Sequence, residues 1–219
     1  MFFNQLQIMT NMEIDLNILG MDKGNQYETI ITTLNQEDVQ NAAPIGVLCA
    51  GRDTILCRIF KGGKTLDNII FQKRFTVNIT HDPELFTLST IGNLPKEYFS
   101  SDNSLKGADA YFKCEVISLK EAKKQSDPVR TKWEAIVIKS KVTEIVVNEN
   151  TQAFNRAFSC VIETLVNYTR FDLVGEDKKQ YYLNRFRECS RVVNKVGNKN
   201  EKLAMSEIKK ELIKKGYEP

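Results

Sequence analysis

Histidine and tryptophan each occur once in the 219 residues, as His81 and Trp133. One imidazole cannot build a histidine metal site, and no carboxylates cluster beside it in sequence. The five cysteines, Cys49, Cys57, Cys114, Cys160 and Cys189, are odd in number and form no C-x-x-C pair. They read as small buried apolar side chains, with Cys49 and Cys57 placed to face one another across a turn at residues 51–53. No apolar run approaches the roughly eighteen residues of a membrane span. The opening Met1-Phe-Phe-Asn-Gln-Leu-Gln-Ile-Met-Thr10 lacks both a basic cluster and a continuous apolar region, so it makes a poor signal peptide. Met9 and Met12 follow closely, and the first dozen residues read as an extension or a misassigned start. A cytoplasmic setting is expected. The formal net charge of +3 is too small to argue for a nucleic-acid partner.

Hydrophobic residues make up 42% and charged residues 27%, the balance of a globular chain large enough to bury a sizeable core. Residues 27–34 are rich in β-branched side chains and read as a strand, followed by a polar turn at 35–38 and a second strand over 41–50. Pro44 interrupts that second strand, because proline removes a ladder donor and marks an edge, bulge or kink. A third strand is expected over 54–60, a short helix over 65–72 with Leu66, Ile69 and Ile70 inward, and a strand over 75–80. Asp82-Pro83 has the form of an N-cap with proline at the first helical position, so His81 before it reads as structural. A further strand is expected over 111–119 and one long strand or two over 133–147, after a charged loop over 120–130.

After residue 150 the apolar period changes from two to 3.6. Phe154, Phe158, Val161, Ile162, Leu165 and Thr169 fall on one helical face, and two more helices follow over 178–196 and 201–215. Lysines crowd the last of these, interleaved with Glu201, Glu207 and Glu211 as on a solvated face. Arg156, Glu163 and Arg170 recur every seven residues and share one side of the first helix. They read either as a surface stripe or as arginines directed at an anionic substrate.

The segment Arg58-Ile-Phe-Lys-Gly-Gly-Lys-Thr-Leu-Asp-Asn68 carries the chemistry. Lys61, Gly62, Gly63, Lys64 and Thr65 place two ammonium groups, two glycines and a hydroxyl between a strand and a helix. Such a loop is either a turn with solvated lysines or an anion cradle, in which backbone N–H groups and the positive end of the helix face a phosphate. A Walker A loop is excluded by counting, since its first glycine would fall at Arg58, and no G-x-G-x-x-G occurs.

With the flanking Ala43-Pro44-Ile45-Gly46-Val47 and Phe75-Thr-Val-Asn-Ile-Thr80, the segment resembles the FMN-binding split-barrel group of flavin reductases and pyridoxamine-phosphate oxidases. Within it the resemblance is closest to an archaeal-type flavoprotein family of unknown function. It spans residues 22–196, including Asn155-Arg156-Ala157, Ile162-Glu163 and Thr169-Arg170. It implies a six-stranded Greek-key split barrel over residues 22–150, after an extension at 1–21 and before a helical segment at 151–219. It also implies bound FMN. Lys61, Lys64, Thr65, Gly62 and Gly63 would hold the phosphate, with Arg58 adding a contact and Asn68 reaching the phosphate or the ribityl chain. Ala43, Pro44, Ile45, Gly46 and Val47 would lie along the ring with N–H groups near N5 and O4. Gly63 stands where serine is expected in this family. Lys64 and Thr65 are expected to face solvent without ligand.

The group's habit of placing FMN at a homodimer interface implies a two-chain site. The function classes are an FMN oxidoreductase fed by a nicotinamide or deazaflavin donor, an FMN carrier or sensor without turnover, and a ligand-free barrel. The last leaves the Lys61 to Thr65 cluster unexplained.

Overall fold

A computed structural model describes residues 7–10, 14–92, 94–123 and 134–219. Two compact units divide the chain, one ending at Phe154 and the other running from Asn155 to Pro219.

The first unit is a barrel. Its strands are β1 (Gln7–Thr10), β2 (Gln26–Leu34), β3 (Gln40–Gly51), β4 (Thr54–Phe60), β5 (Arg74–Ile79), β6 (Ala110–Lys123) and β7 (Glu134–Val147). Six of them close in the order β7-β4-β3-β2-β5-β6, with β6 returning to β7, and every pairing is antiparallel. Register shifts in β6 between Lys113 and Cys114 and between Val116 and Ser118 supply the bends that closure needs. β7 borders β4 along residues 135–141 and β1 along residues 144–147.

Period-two alternation puts Val47, Cys49, Ile55, Cys57, Val77, Phe112 and Ile138 in one core inside the barrel. Ile14, Leu16, Leu19 and Met21 join that core, so much of the segment that the sequence sets apart as an extension is built into the barrel. The register sets Cys57 opposite Val47 and Cys49 opposite Ile55, so these two cysteines do not face one another. β6 continues through Lys123, where a charged loop is expected; Trp133 and the rest of that loop lie outside the described residues.

Two helices complete the barrel unit, α1 (Lys64–Gln72) and α2 (Pro83–Ile91). Asp82 caps α2 by accepting from the amides of Glu84 and Leu85, with Pro83 opening the helix. His81 is held structurally, with Nδ1 3.1 Å from Asp109 Oδ2 and its ring edge-on to Phe154. α1 buries Thr65, Leu66, Asn68 and Ile69 and leaves Ile70 exposed, where Ile70 is expected inward.

The second unit packs α3 (Ala157–Thr169), α4 (Glu176–Val196) and α5 (Lys199–Lys214) around Val161, Phe171, Phe186, Val193, Met205, Ile208 and Leu212. α5 starts on a capping box between Asn198 and Glu201, and its outer face carries the Lys210–Glu207 and Lys214–Glu211 pairs of a solvated helix. On α3 the buried stripe is Ala157, Val161 and Thr164. Phe158, Ile162 and Leu165, expected to face inward, are 62%, 41% and 40% exposed. Apolar side chains cover two adjacent faces of this helix, and the one lined by smaller residues is the one that packs. Arg156, Glu163 and Arg170 are all exposed.

Candidate functional site

The barrel is split between β3 and β4. β3 pairs with β2 from Gln40 to Leu48 but with β4 only from Val47 to Gly51. Continuing that register would set Gly46 against Arg58 and Pro44 against Phe60, and neither pair forms. The direction of the open groups follows from alternation along an antiparallel strand. Cys49 turns both its amide and its carbonyl to the β2 side, donating to Asn25 O at 3.0 Å and accepting from Gly24 N at 2.8 Å. Leu48, Gly46, Pro44 and Ala42 therefore turn theirs toward β4, and the ladder with β4 ends at the Val47–Cys57 pair.

Proline has no N–H, so within Ala43 to Val47 the open edge offers one donor, the amide of Gly46. The sequence expectation of a row of amides there is reduced to that one. A side chain at Gly46 would also be crowded, since a Cβ would come 2.2 Å from Gln26 Nε2. Val47 is fully buried in the core, and Ile45 packs against it.

β4 ends at Phe60, and Lys61, Gly62 and Gly63 turn the chain into α1 at the mouth of this split. Gly62 has φ +91°, which side chains rarely adopt. Gly63 is the N-cap and brings no side-chain hydrogen bond, whereas Asp82 on α2 and Asn198 on α5 each cap with an oxygen. The first amides of α1 and the positive end of its dipole are thus left for an outside anion.

The polar side chains around this start are spent unequally. Lys64 is exposed and makes no ion pair among the described residues. Thr65, expected to face solvent, is only 7% exposed, and its Oγ1 accepts from Asn41 Nδ2 at 3.0 Å. Asn68, 8% exposed, donates from Nδ2 to Thr33 Oγ1 at 3.0 Å, tying α1 to β2. Lys61 points away, its Nζ lying 2.9 Å from both Glu121 and Glu134, and these carboxylates raise its pKa, Glu134 most. Arg58 is exposed on the outer side of β4.

The structure therefore brings Lys64, Thr65 and Asn68 together, engages Lys61 elsewhere and leaves Arg58 outside the barrel wall. Beside Lys64 and Asn68 lies a cavity of about 600 Å³, bounded by Asn41, Leu94 and Phe99 and also by the carboxylates of Glu37, Asp38 and Asp67.

Asn41 is the residue that sequence reasoning missed. Its signal is a polar side chain on the inward face of β3, where Ala43, Ile45, Val47 and Cys49 otherwise follow at every second position.

Comparison with known proteins bears on both units. A family model described as the N-terminal domain of a protein of unknown function (DUF447) matches residues 27–144. A second, described as a protein of unknown function (DUF447), matches residues 155–210. An uncharacterised protein of Methanocaldococcus jannaschii is 24% identical over 177 residues, 79% of this chain and 91% of its own. The crystal structure of an FMN-bound protein from Methanosarcina mazei, described with the same family, is 31% identical. It aligns over 90% of this chain and 99% of its own, with a TM-score of 0.51.

Proposed function

The chain belongs to the DUF447 family, and we propose that it is an FMN-binding flavoprotein that passes electrons or a hydride through the flavin to an acceptor. The observation that carries this reading is the uncapped start of α1 at the barrel split, furnished with Thr65 and with a Lys64 that makes no ion pair among the described residues. Those donors match a terminal phosphate near a double negative charge: first-turn amides, an ammonium and a hydroxyl, with no carboxylate paired to the ammonium among the described residues. The FMN-bound state of the related Methanosarcina protein supports the choice of ligand.

In this reading Lys64, Thr65, Gly62 and Gly63 hold the phosphate and Asn68 serves the phosphate or the ribityl chain. Ala43 to Val47 border the ring, with the Gly46 amide as the donor to its N5–O4 edge. Arg58 and Lys61 are outer contributors. Bound FMN supplies the redox chemistry, accepting a hydride or electrons from a nicotinamide or deazaflavin donor. The chain binds and orients it, and a donor at the N5–O4 edge stabilises negative charge on the reduced ring.

Two further parts belong to the proposal. The site is shared in a homodimer, because the open edge of β3 covers one face of a flat ring and a second copy would cover the other while hiding unpaired strand groups. The compartment is the cytoplasm, which accords with five cysteines that are all free.

Mass spectrometry of cofactor released from purified protein tests the ligand, with FMN expected. FAD, or no flavin, would refute the reading. Anaerobic bleaching under NADH, NADPH or reduced deazaflavin identifies a donor, and no bleaching with any of them favours a carrier or sensor. Light scattering of the flavin-bound protein is expected to give about twice the 25.1 kDa chain mass. A monomer that retains FMN would overturn the shared site.

A further inference from the structure

We infer that Asn41 is a positioning residue: it fixes the Thr65 hydroxyl as a donor toward the ligand phosphate and so makes the site select phosphorylated flavin over riboflavin. The inference rests on the FMN reading above and adds to it the device by which the phosphate is read.

A threonine hydroxyl has one hydrogen to donate and lone pairs with which to accept. Thr65 is more than nine-tenths buried, and its Oγ1 accepts from Asn41 Nδ2 at 3.0 Å. With that amide donating into the oxygen, the hydroxyl hydrogen cannot also point at Asn41.

Elsewhere in the molecule, helical threonines spend this hydrogen on a backbone carbonyl. Thr87 donates to Pro83 O, Thr90 to Phe86 O, Thr164 to Cys160 O and Thr169 to Val166 O, at 2.7–2.9 Å. Among the described residues Thr65 makes no such bond and only accepts. A buried hydroxyl with an unspent hydrogen carries an energetic cost unless an acceptor arrives. Thr65 sits in the first turn of α1, where the helix dipole and the uncapped amides favour an anion.

Asn41 reaches this point from a different element, on the inward face of β3 beside the split. It therefore sets the hydroxyl before ligand binds, which spares the site the cost of orienting it afterwards. The residue type matters as well as its place. An aspartate at 41 would accept the Thr65 hydrogen and add negative charge beside the phosphate.

The test titrates apoprotein with FMN and with riboflavin, which lacks the phosphate, and reads the ratio of the two affinities. Wild type, Asn41→Ala, Asn41→Asp, Thr65→Val and the double variant Asn41→Ala/Thr65→Val are compared. Asn41→Ala is expected to reduce the preference for FMN by about tenfold, the scale of one hydrogen bond to a charged group. Asn41→Asp is expected to reduce it further, and riboflavin affinity is expected to stay unchanged in every variant.

If Asn41 acts through Thr65, then Asn41→Ala changes nothing once Thr65 is valine. Equal loss of FMN and riboflavin binding would make Asn41 merely structural and overturn the inference. A full Asn41→Ala effect in the Thr65→Val background would overturn it too, because Asn41 would then touch the ligand itself. A wild type that binds riboflavin as well as FMN refutes the phosphate selection while leaving flavin binding standing. A wild type that binds neither refutes the underlying reading and this inference together.

Discussion

Two lysines three residues apart, Lys61 and Lys64, make opposite demands on a phosphate, and replacing them singly separates them. Lys61 Nζ is 2.9 Å from both Glu121 and Glu134, and its amide donates to Glu134 O at 3.1 Å. A phosphate could recruit that ammonium only by drawing it from two carboxylates. Lys64 has no such partner among the described residues, and it opens the helix whose first amides are free. A charge-assisted hydrogen bond from its ammonium contributes roughly 1.5–3 kcal/mol to binding. Lys64→Ala is therefore expected to raise the Kd for FMN by roughly 10- to 150-fold. Lys61→Ala is expected to stay within about twofold, since its charge is already compensated and the remaining field is screened by salt. Fluorescence quenching of FMN on addition of apoprotein, at one ionic strength, measures both, and riboflavin is the control whose affinity Lys64→Ala leaves alone. If Lys61→Ala proves as damaging as Lys64→Ala, or if Lys64→Ala weakens riboflavin equally, the phosphate is not bound at the start of α1.

Thr65→Val, by contrast, is expected to lower stability without any flavin, by about 1 kcal/mol, because the Asn41 amide loses its acceptor; unchanged urea unfolding of the apoprotein would refute this. Burial pushes the Cys57 thiol up to about 12 and the Cys114 thiol well above its ordinary value. The unfolded thiols ionise near 8.5 while the folded ones stay neutral, so stability is full below about pH 8.5 and falls above it, by up to about 1.4 kcal/mol per pH unit and thiol. Urea unfolding across that range measures the slope, which is expected to lessen in Cys57→Ala. Cys160 is the one cysteine that is not fully buried, so a thiol reagent should modify it first and reach the other four only on unfolding. Early modification of Cys57 or Cys114 would contradict the closed barrel core.

Most of the fold is legible in the sequence because its determinants are local. β-branched and apolar runs mark β2, β4 and β5, and Asp82-Pro83 marks the start of α2 within a residue. What is not legible depends on partners distant in the chain. β1 pairs with residues 144–147 of β7, and nothing in four residues of its own announces that. On α3 the 3.6 period identifies the helix but not the face that packs, since both faces are apolar and α4 and α5 select the stripe of Ala157, Val161 and Thr164. The apposition expected of Cys49 and Cys57 fails because the β3–β4 register gives each a different partner.

The site divides along the same line. Glycine at 62 is a local fact, and the helix expected from residue 65 starts one residue earlier, at Lys64. Whether a polar side chain is available to a ligand is a question of where its hydrogen bonds already go, and that is settled across the fold. Lys61 and Lys64 look interchangeable in the loop. One is taken by carboxylates on β6 and β7, sixty and seventy-three residues away, and the other is left over. Asn41 looks like an unremarkable polar residue before Ala42 and Ala43. Its importance comes from an oxygen twenty-four residues later that it alone reaches among the described residues. A binding loop read from sequence therefore names more donors than the folded site can offer, and the surplus is removed by pairings that only the closed barrel creates.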